Sequence, residues 1–199
     1  MPAHRNGPVS SNVRRHNHSE MPMYVVFLHG PLAAGKHTIG VHLSGLTGLP
    51  LFHNHVAVDA ALTLFPFGSD SFKKMRAAIW LTAFSEAAAV GQSFIFTFSP
   101  ESSVDPALIE QMREAVVMRG GKVVFIELTC SREAILQRLG GESRAQFRKL
   151  TDPSLYAQIE DQGGFAFPPL PQSAMSIDTE RVTPEVAAQS IAQVLSKVE

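Results

Sequence analysis

Two hydrophobic rhythms alternate along this chain. Short, nearly unbroken apolar runs occupy residues 24–28, 49–52, 94–98, 122–128 and 174–178. They are rich in Val, Ile and Phe and lack the polar alternation of a half-exposed strand. That pattern predicts strands buried on both faces, as in a parallel sheet. Between them lie stretches with apolar residues every third or fourth position, the period of an amphipathic helix. The first carries Ile39, Leu43 and Leu46 and is stopped by Gly48 and Pro50; a short one over 56–64 includes Asp59 and breaks at Pro66-Phe67-Gly68. A long one opens at Ser71 as cap, bears Phe72, Met75, Ile79, Ala83 and Ala87 as its inward stripe, and closes at Gly91. Trp80 and Phe84 on it are expected in the core.

The later helices announce themselves by their caps. Asp105-Pro106 sets an N-cap with proline in the first turn, and Gly120-Gly121 ends that helix. Ser131 caps the next, which reaches Leu139 before Gly140-Gly141; Asp152-Pro153 opens another that ends near Gly163-Gly164. The proline-rich residues 165–172 predict an ordered loop. Thr183-Pro184-Glu185 starts the last helix, with Val186, Ile191, Val194, Leu195 and Val198 inward. No internal repeat is visible. Five strands alternating with helices predict a three-layer α/β/α sandwich on a five-stranded parallel sheet. In such sheets ligands bind beyond the carboxyl ends of the strands.

The first strand is the one that carries chemistry. It runs into Gly30-Pro31-Leu32-Ala33-Ala34-Gly35-Lys36, a GxxxxGK phosphate-binding loop, and then into a helix. The glycines let backbone N–H groups approach phosphate oxygens, and the helix N-terminus favours the same anion. Lys36 adds a full positive charge for the outer phosphates. The usual Ser or Thr after the lysine is His37 here, with Thr38 one place later. An imidazole is a poor Mg²⁺ ligand, and one helical step turns Thr38 by about 100° from the required direction. Mg²⁺ is therefore expected to be held by the nucleotide phosphates and water, with no protein ligand assigned.

Composition narrows the partners. At 199 residues, with 45% hydrophobic and 18% charged residues, the chain fits one globular domain. A net charge of −1 supplies no electrostatic reason for nucleic acid or an anionic membrane as partner. No apolar run reaches membrane-spanning length. The single Cys130 rules out an intrachain disulfide, so the expectation is a cytoplasmic protein with an inert core thiol, monomeric or homodimeric. Residues 1–20 hold Arg5, Arg14 and Arg15 but almost nothing to bury. They predict a disordered tail ahead of a domain spanning 21–199.

With strand, loop and helix in this order, residues 23–198 resemble the P-loop kinases of small molecules and nucleoside monophosphates. Shikimate kinase, gluconate kinase, adenylate kinase and chloramphenicol phosphotransferase are of this group. The segment Leu51-Phe52-His53-Asn54-His55 stands where shikimate kinases carry an apolar pair followed by Asp-x-Asp, and resembles a set of little-characterised P-loop kinases. Arg138, followed by Arg144, Arg148 and Lys149, resembles the arginine-bearing lid of these enzymes, about residues 140–153. The resemblance implies ATP with Mg²⁺ and transfer of the γ-phosphate to a small-molecule acceptor. It assigns Gly30 to Thr38 and Arg138 to the nucleotide, and Lys36, Arg144 and Arg148 to the transferring phosphate.

His53, Asn54, His55 and Asp59 are then the acceptor-side candidates, with Asp59 as the first choice of proton acceptor and His55 orienting it or replacing it. A His-x-His pair could also serve zinc, though two ligands do not close such a site. Glu127 sits within the fourth strand, where alternation alone does not say which way it points. Aliphatics followed by Asp-Glu, as in hydrolytic ATPases, and the guanine-reading Asn-Lys-x-Asp are both missing. The alternative is a nucleotide-binding sensor without phosphotransfer, suggested by His37 and the missing acidic pair.

Overall fold

The computed structural model describes residues 22–141 and 150–197. Arg144, Arg148, Lys149 and Val198, most of the expected lid, and the expected N-terminal tail lie outside these residues. The five strands are β1 (Tyr24–His29), β2 (Leu51–His53), β3 (Phe94–Phe98), β4 (Lys122–Thr129) and β5 (Met175–Asp178). All their pairings are parallel, in the order β2-β3-β1-β4-β5. The helices among the described residues are α1 (Lys36–Thr47), α2 (His55–Leu62), α3 (Asp70–Val90), α4 (Pro106–Val117), α5 (Arg132–Leu139), α6 (Pro153–Asp161) and α7 (Pro184–Leu195). This is the expected three-layer sandwich.

Strand alternation divides the core in two. Val26, Leu28, Ile95, Ile126 and Leu128 form an aliphatic layer with Ile39 and Leu43 of α1 and Ile191 and Leu195 of α7. Phe27, Phe94, Phe96, Phe98 and Phe125 form an aromatic layer beneath α3 and α4. Trp80 and Phe84 meet that layer edge-on, at centroid distances of 5.6 Å and 5.1 Å from Phe96. Edge-to-face contact of this kind contributes about 0.5–1.5 kcal/mol per pair beyond area burial.

Several expectations need correction. Ser69, not Ser71, caps α3, accepting from the N–H of Phe72. The buried stripe of that helix is Phe72, Arg76, Trp80, Phe84 and Ala88; Met75, Ile79, Ala83 and Ala87 flank it half-buried. An arginine would ordinarily mark the outer face, and here it is 2% exposed. Leu46 is exposed because the buried face of α1 runs through Ile39, Gly40 and Leu43. A Cβ at Gly40 would meet Leu51 at 2.9 Å, so that helix packs close on the sheet edge. Val186 also faces solvent, its place inside α7 taken by Ala187 and Ala188. Cys130 is half-buried rather than core, and burial pushes its thiol pKa up.

β1 lies at the centre of the sheet between β3 and β4; the chain leaves β1 toward β2 on one side, and leaves β3 toward β4 on the other. The crevice beyond its carboxyl end is the topological switch point of the fold.

Candidate functional site

The loop after β1 is built by backbone geometry that its sequence alone permits. Gly30 has φ +150°, and a Cβ there would lie 2.1 Å from the carbonyl oxygen of Leu128. The loop therefore passes against β4 at a distance only glycine allows. Gly35 has φ +84°, and Ala33, at +60°, is the non-glycine residue in the left-handed region among those described. Left-handed residues interspersed in a turn aim successive N–H groups into one concavity, an anion nest. Gly35 precedes the first residue of α1 and supplies no side-chain cap, so an anion seated there meets the positive end of the helix dipole.

Lys36 is 8% exposed. Its Nζ donates to the carbonyls of Gly30 and Pro31, at 2.8 Å and 2.6 Å. The ammonium is thus folded over the loop's entrance, held by the loop it serves.

A cleft of about 420 Å³ follows this loop. Its floor is the run from Leu32 to Ile39, which contains His37 and the exposed Thr38. One end is closed by Arg138, Gly141, Thr179, Val182 and Pro184. Arg138 bridges the two sides of that end: Nη1 donates to Thr179 Oγ1 (2.9 Å) and to the Ala33 carbonyl (3.4 Å), and Nη2 to the Thr179 carbonyl (2.8 Å). The guanidinium plane is fixed beside the loop as a surface on which a flat ring can stack.

His53, Asn54, His55, Thr97 and Ser99 line the other end. Thr97 is buried, and its hydroxyl accepts from the N–H of Asn54 at 3.2 Å, tying the turn after β2 to β3. The ring of His37 stands edge-on to His53 at 4.9 Å, and His55 lies 6.5 Å beyond His53. Three imidazoles therefore face the phosphate-loop end of the cleft. Asp59 follows one turn along α2, half-exposed, its Oδ1 3.9 Å from His55 Nδ1. Asp59 does not line the cleft, whereas His55 does. Among the described residues no group of three or more His, Cys, Asp or Glu is arranged to hold a metal ion. Among the described residues lining the cleft there is no carboxylate.

The cleft brings together, from the sequence, the residues from Leu32 to Thr38, His53 to His55, and Arg138. Sequence reasoning missed Thr179, Val182 and Pro184. The carboxyl-end rule, applied to the residues directly after β5, would have found them.

Behind the loop lies a second cavity of about 440 Å³, which shares Leu32 with the cleft. His29 and Glu127 lie side by side at its base, paired in the β1–β4 register. His29 Nε2 is 2.9 Å from Ser173 Oγ. Burial lowers the His29 pKa to about 4, against the pull of Glu127 and with the help of the Lys36 charge. The imidazole is therefore neutral at ordinary pH.

No protein-family model matches the sequence, and no curated protein matches it. Solved structures do. The fold is similar to that of an unliganded sugar kinase from Janibacter sp., at 20% identity and TM-score 0.61, covering 88% of this chain and 95% of that one. The APS kinase of Mycobacterium tuberculosis, solved with AMPPNP and APS, matches at 11% identity and TM-score 0.61 over 88% and 99%. Shikimate kinase from Acinetobacter baumannii, in complex with shikimate, matches at 18% identity and TM-score 0.51 over 89% and 94%. The chain has the P-loop kinase fold. No described helix is long and apolar enough to cross a membrane.

Proposed function

We propose that this protein is an ATP-dependent phosphotransferase acting on a small polar acceptor. One observation carries the reading: a single cleft joins a glycine loop with positive-φ backbone and its buried lysine to the fixed guanidinium of Arg138. That volume and chemistry suit a triphosphate over the loop and a flat base beside Arg138. The residues present fit the nucleotide. The nest from Leu32 to Thr38 would hold its phosphates, and Arg138 with Thr179 and Val182 its base. ATP supplies the transferable phosphoryl group, and Mg²⁺ accompanying its phosphates supplies further positive charge.

The chain's own part is positioning and neutralisation, which is most of what phosphoryl transfer requires. Lys36 holds charge at the loop mouth, and the loop amides fix the phosphate oxygens. The acceptor hydroxyl needs a group to receive its proton as it attacks. His55 suits this role better than Asp59, because it lines the cleft; Asp59 sits behind it, near enough to bias the ring's orientation. Arg144 and Arg148 remain assigned, on sequence grounds alone, to the transferring phosphate.

The test is calorimetric titration with AMP-PNP and Mg²⁺ on wild type and Lys36→Ala, followed by ADP release with candidate acceptors. Wild type should bind and Lys36→Ala should not, while both keep the same circular dichroism spectrum. Equal binding by a folded Lys36→Ala would overturn the nucleotide site. Tight binding with no turnover on any acceptor would favour a sensor.

A further inference from the structure

The second cavity differs from the nucleotide cleft in sign. Glu127 stands at its base, half-buried, and among the described residues its carboxylate makes no hydrogen bond or ion pair. The cation among the described lining residues, Arg132, is already engaged: its Nε donates to Glu160 Oε2 at 2.8 Å. Tyr156 donates its hydroxyl to the other oxygen of Glu160 at 3.1 Å. His29 adds a buried, neutral imidazole beside Glu127. Pro31, Pro100 and Phe165 supply apolar walls, Phe165 stacked on Tyr156 at 5.0 Å. The described wall thus carries one carboxylate outside any ion pair, with the Lys36 ammonium close by, several hydroxyl-capable groups and flat apolar surfaces.

Its position relates it to the chemistry. The lysine that closes the phosphate loop is bonded to the carbonyls of Gly30 and Pro31, and both residues line this cavity. The Lys36 charge is felt at His29 and at Cys130, both also on its wall. Ser99 of the cleft and Pro100 of the cavity are successive residues of the loop after β3. The two spaces therefore adjoin around the ammonium that would serve the terminal phosphate.

Resting on the phosphotransferase reading, we propose that this cavity receives the body of the acceptor, its reacting hydroxyl reaching past Lys36 into the cleft that His55 lines, and that Glu127 selects an uncharged or cationic, hydroxyl-bearing molecule over an acidic one. With the nucleotide phosphates taking up the Lys36 charge, and Arg132 already paired with Glu160, a carboxylate- or phosphate-bearing acceptor would meet Glu127 as a like charge, and burying such a pair is costly. An amino sugar or polyol amine would gain a charge-assisted hydrogen bond at the same place. The hydroxyl groups of a neutral sugar would be accommodated by Glu127, Thr129 and the Tyr156–Glu160 pair.

A matched trio of one carbon skeleton tests this: glucosamine, glucose and gluconate. Saturation-transfer NMR at millimolar concentration, with AMP-PNP and Mg²⁺ bound, reads their affinities for the whole chain. The order expected is glucosamine, then glucose, then gluconate, with about tenfold or more between the first and last. Glu127→Gln should erase the advantage of glucosamine over glucose. Gluconate binding as well as glucosamine, or no member binding to a protein that holds AMP-PNP, would overturn the proposal and leave the phosphotransferase reading standing. A selectivity unchanged by Glu127→Gln would overturn it too. Should that variant not fold, the wild-type order decides alone. Failure to bind AMP-PNP would instead overturn the reading on which the proposal rests.

Discussion

Arg76 is the residue whose replacement the structure lets one reason through in most detail. Its guanidinium lies in the aromatic layer, 2% exposed, stacked 5.2 Å from Phe72 and 5.1 Å from Trp80. Nη1 donates to Glu101 Oε1 at 2.6 Å and to Ser103 Oγ at 3.2 Å, and Nη2 to the Ser103 carbonyl at 2.9 Å. Burial lowers its pKa, the Glu101 carboxylate opposing that shift, and the group stays cationic. Arg76 thereby pins the loop after β3, whose Ser99 and Pro100 border both cavities.

Removing one member of a buried pair costs about 3–5 kcal/mol, because the other is left charged and unpartnered. Glu101 is 21% exposed, so water recovers part of that loss and the lower end applies. Arg76→Met keeps most of the packing and should cost about 3 kcal/mol; Arg76→Ala, which also opens a cavity, should cost about 4–5 kcal/mol. For a chain of this size, about 3 kcal/mol is a fall of about 6–12 °C in Tm. The double variant Arg76→Met with Glu101→Gln removes both charges and lets the amide oxygen keep accepting from Ser103 Oγ. It should recover to within about 1 kcal/mol of wild type, as replaced ion pairs commonly do. Urea unfolding of wild type, Arg76→Met, Glu101→Gln and the double variant closes the cycle. A loss under about 1 kcal/mol for Arg76→Met, or a double variant no better than the single, would refute the assignment of Arg76 as a buried electrostatic clamp.

Two further outcomes are expected. His55→Ala should lower turnover by about 10²–10⁴-fold with AMP-PNP binding retained, and Asp59→Asn by about tenfold or less; the reverse order in steady-state kinetics would restore Asp59 as the proton acceptor. His29 titrates near 4 when folded and near 6.5 when unfolded, so between these values the unfolded chain binds more protons and stability rises with pH. Its contribution is complete above about pH 6.5 and is lost as pH falls toward 4; between pH 7 and pH 4.5 the loss is about 2–2.5 kcal/mol, which His29→Gln should abolish in denaturant titrations at those two values.

Much of the fold could be read from the sequence because apolar runs and caps are local signals. Buried strands cannot alternate with polar residues when both faces are covered, and Asp105-Pro106, Asp152-Pro153 and Thr183-Pro184 mark helix starts by chemistry confined to a few residues. The errors share another cause. A periodic pattern gives the phase of a helix only if apolar residues are the ones buried, and in α3 Arg76 takes an inward position because Glu101, from β3's far end, compensates it. Beyond Phe72 the buried stripe then runs one residue later than the expected one, through the Trp80 and Phe84 that were expected in the core. Leu46 and Val186 fail likewise: each continues an apolar pattern past the point where a neighbour covers it.

The site shows the same division between local and distant information. The loop from Gly30 to Lys36 was legible because a phosphate-binding loop would require particular residues at fixed spacing within one turn. Arg138 was reached only through resemblance, and what fixes it, Thr179, lies 41 residues away. Glu127 is the sharpest case. Strand alternation left its direction open; β4 lies beside β1 in parallel register, and that places its carboxylate next to His29 at the carboxyl-end rim. Neither residue belongs to a motif, and each becomes chemically informative only through the other. Specificity in such a fold is therefore sought where strands from distant parts of the chain end together, while the phosphate loop declares the part that any nucleotide would need.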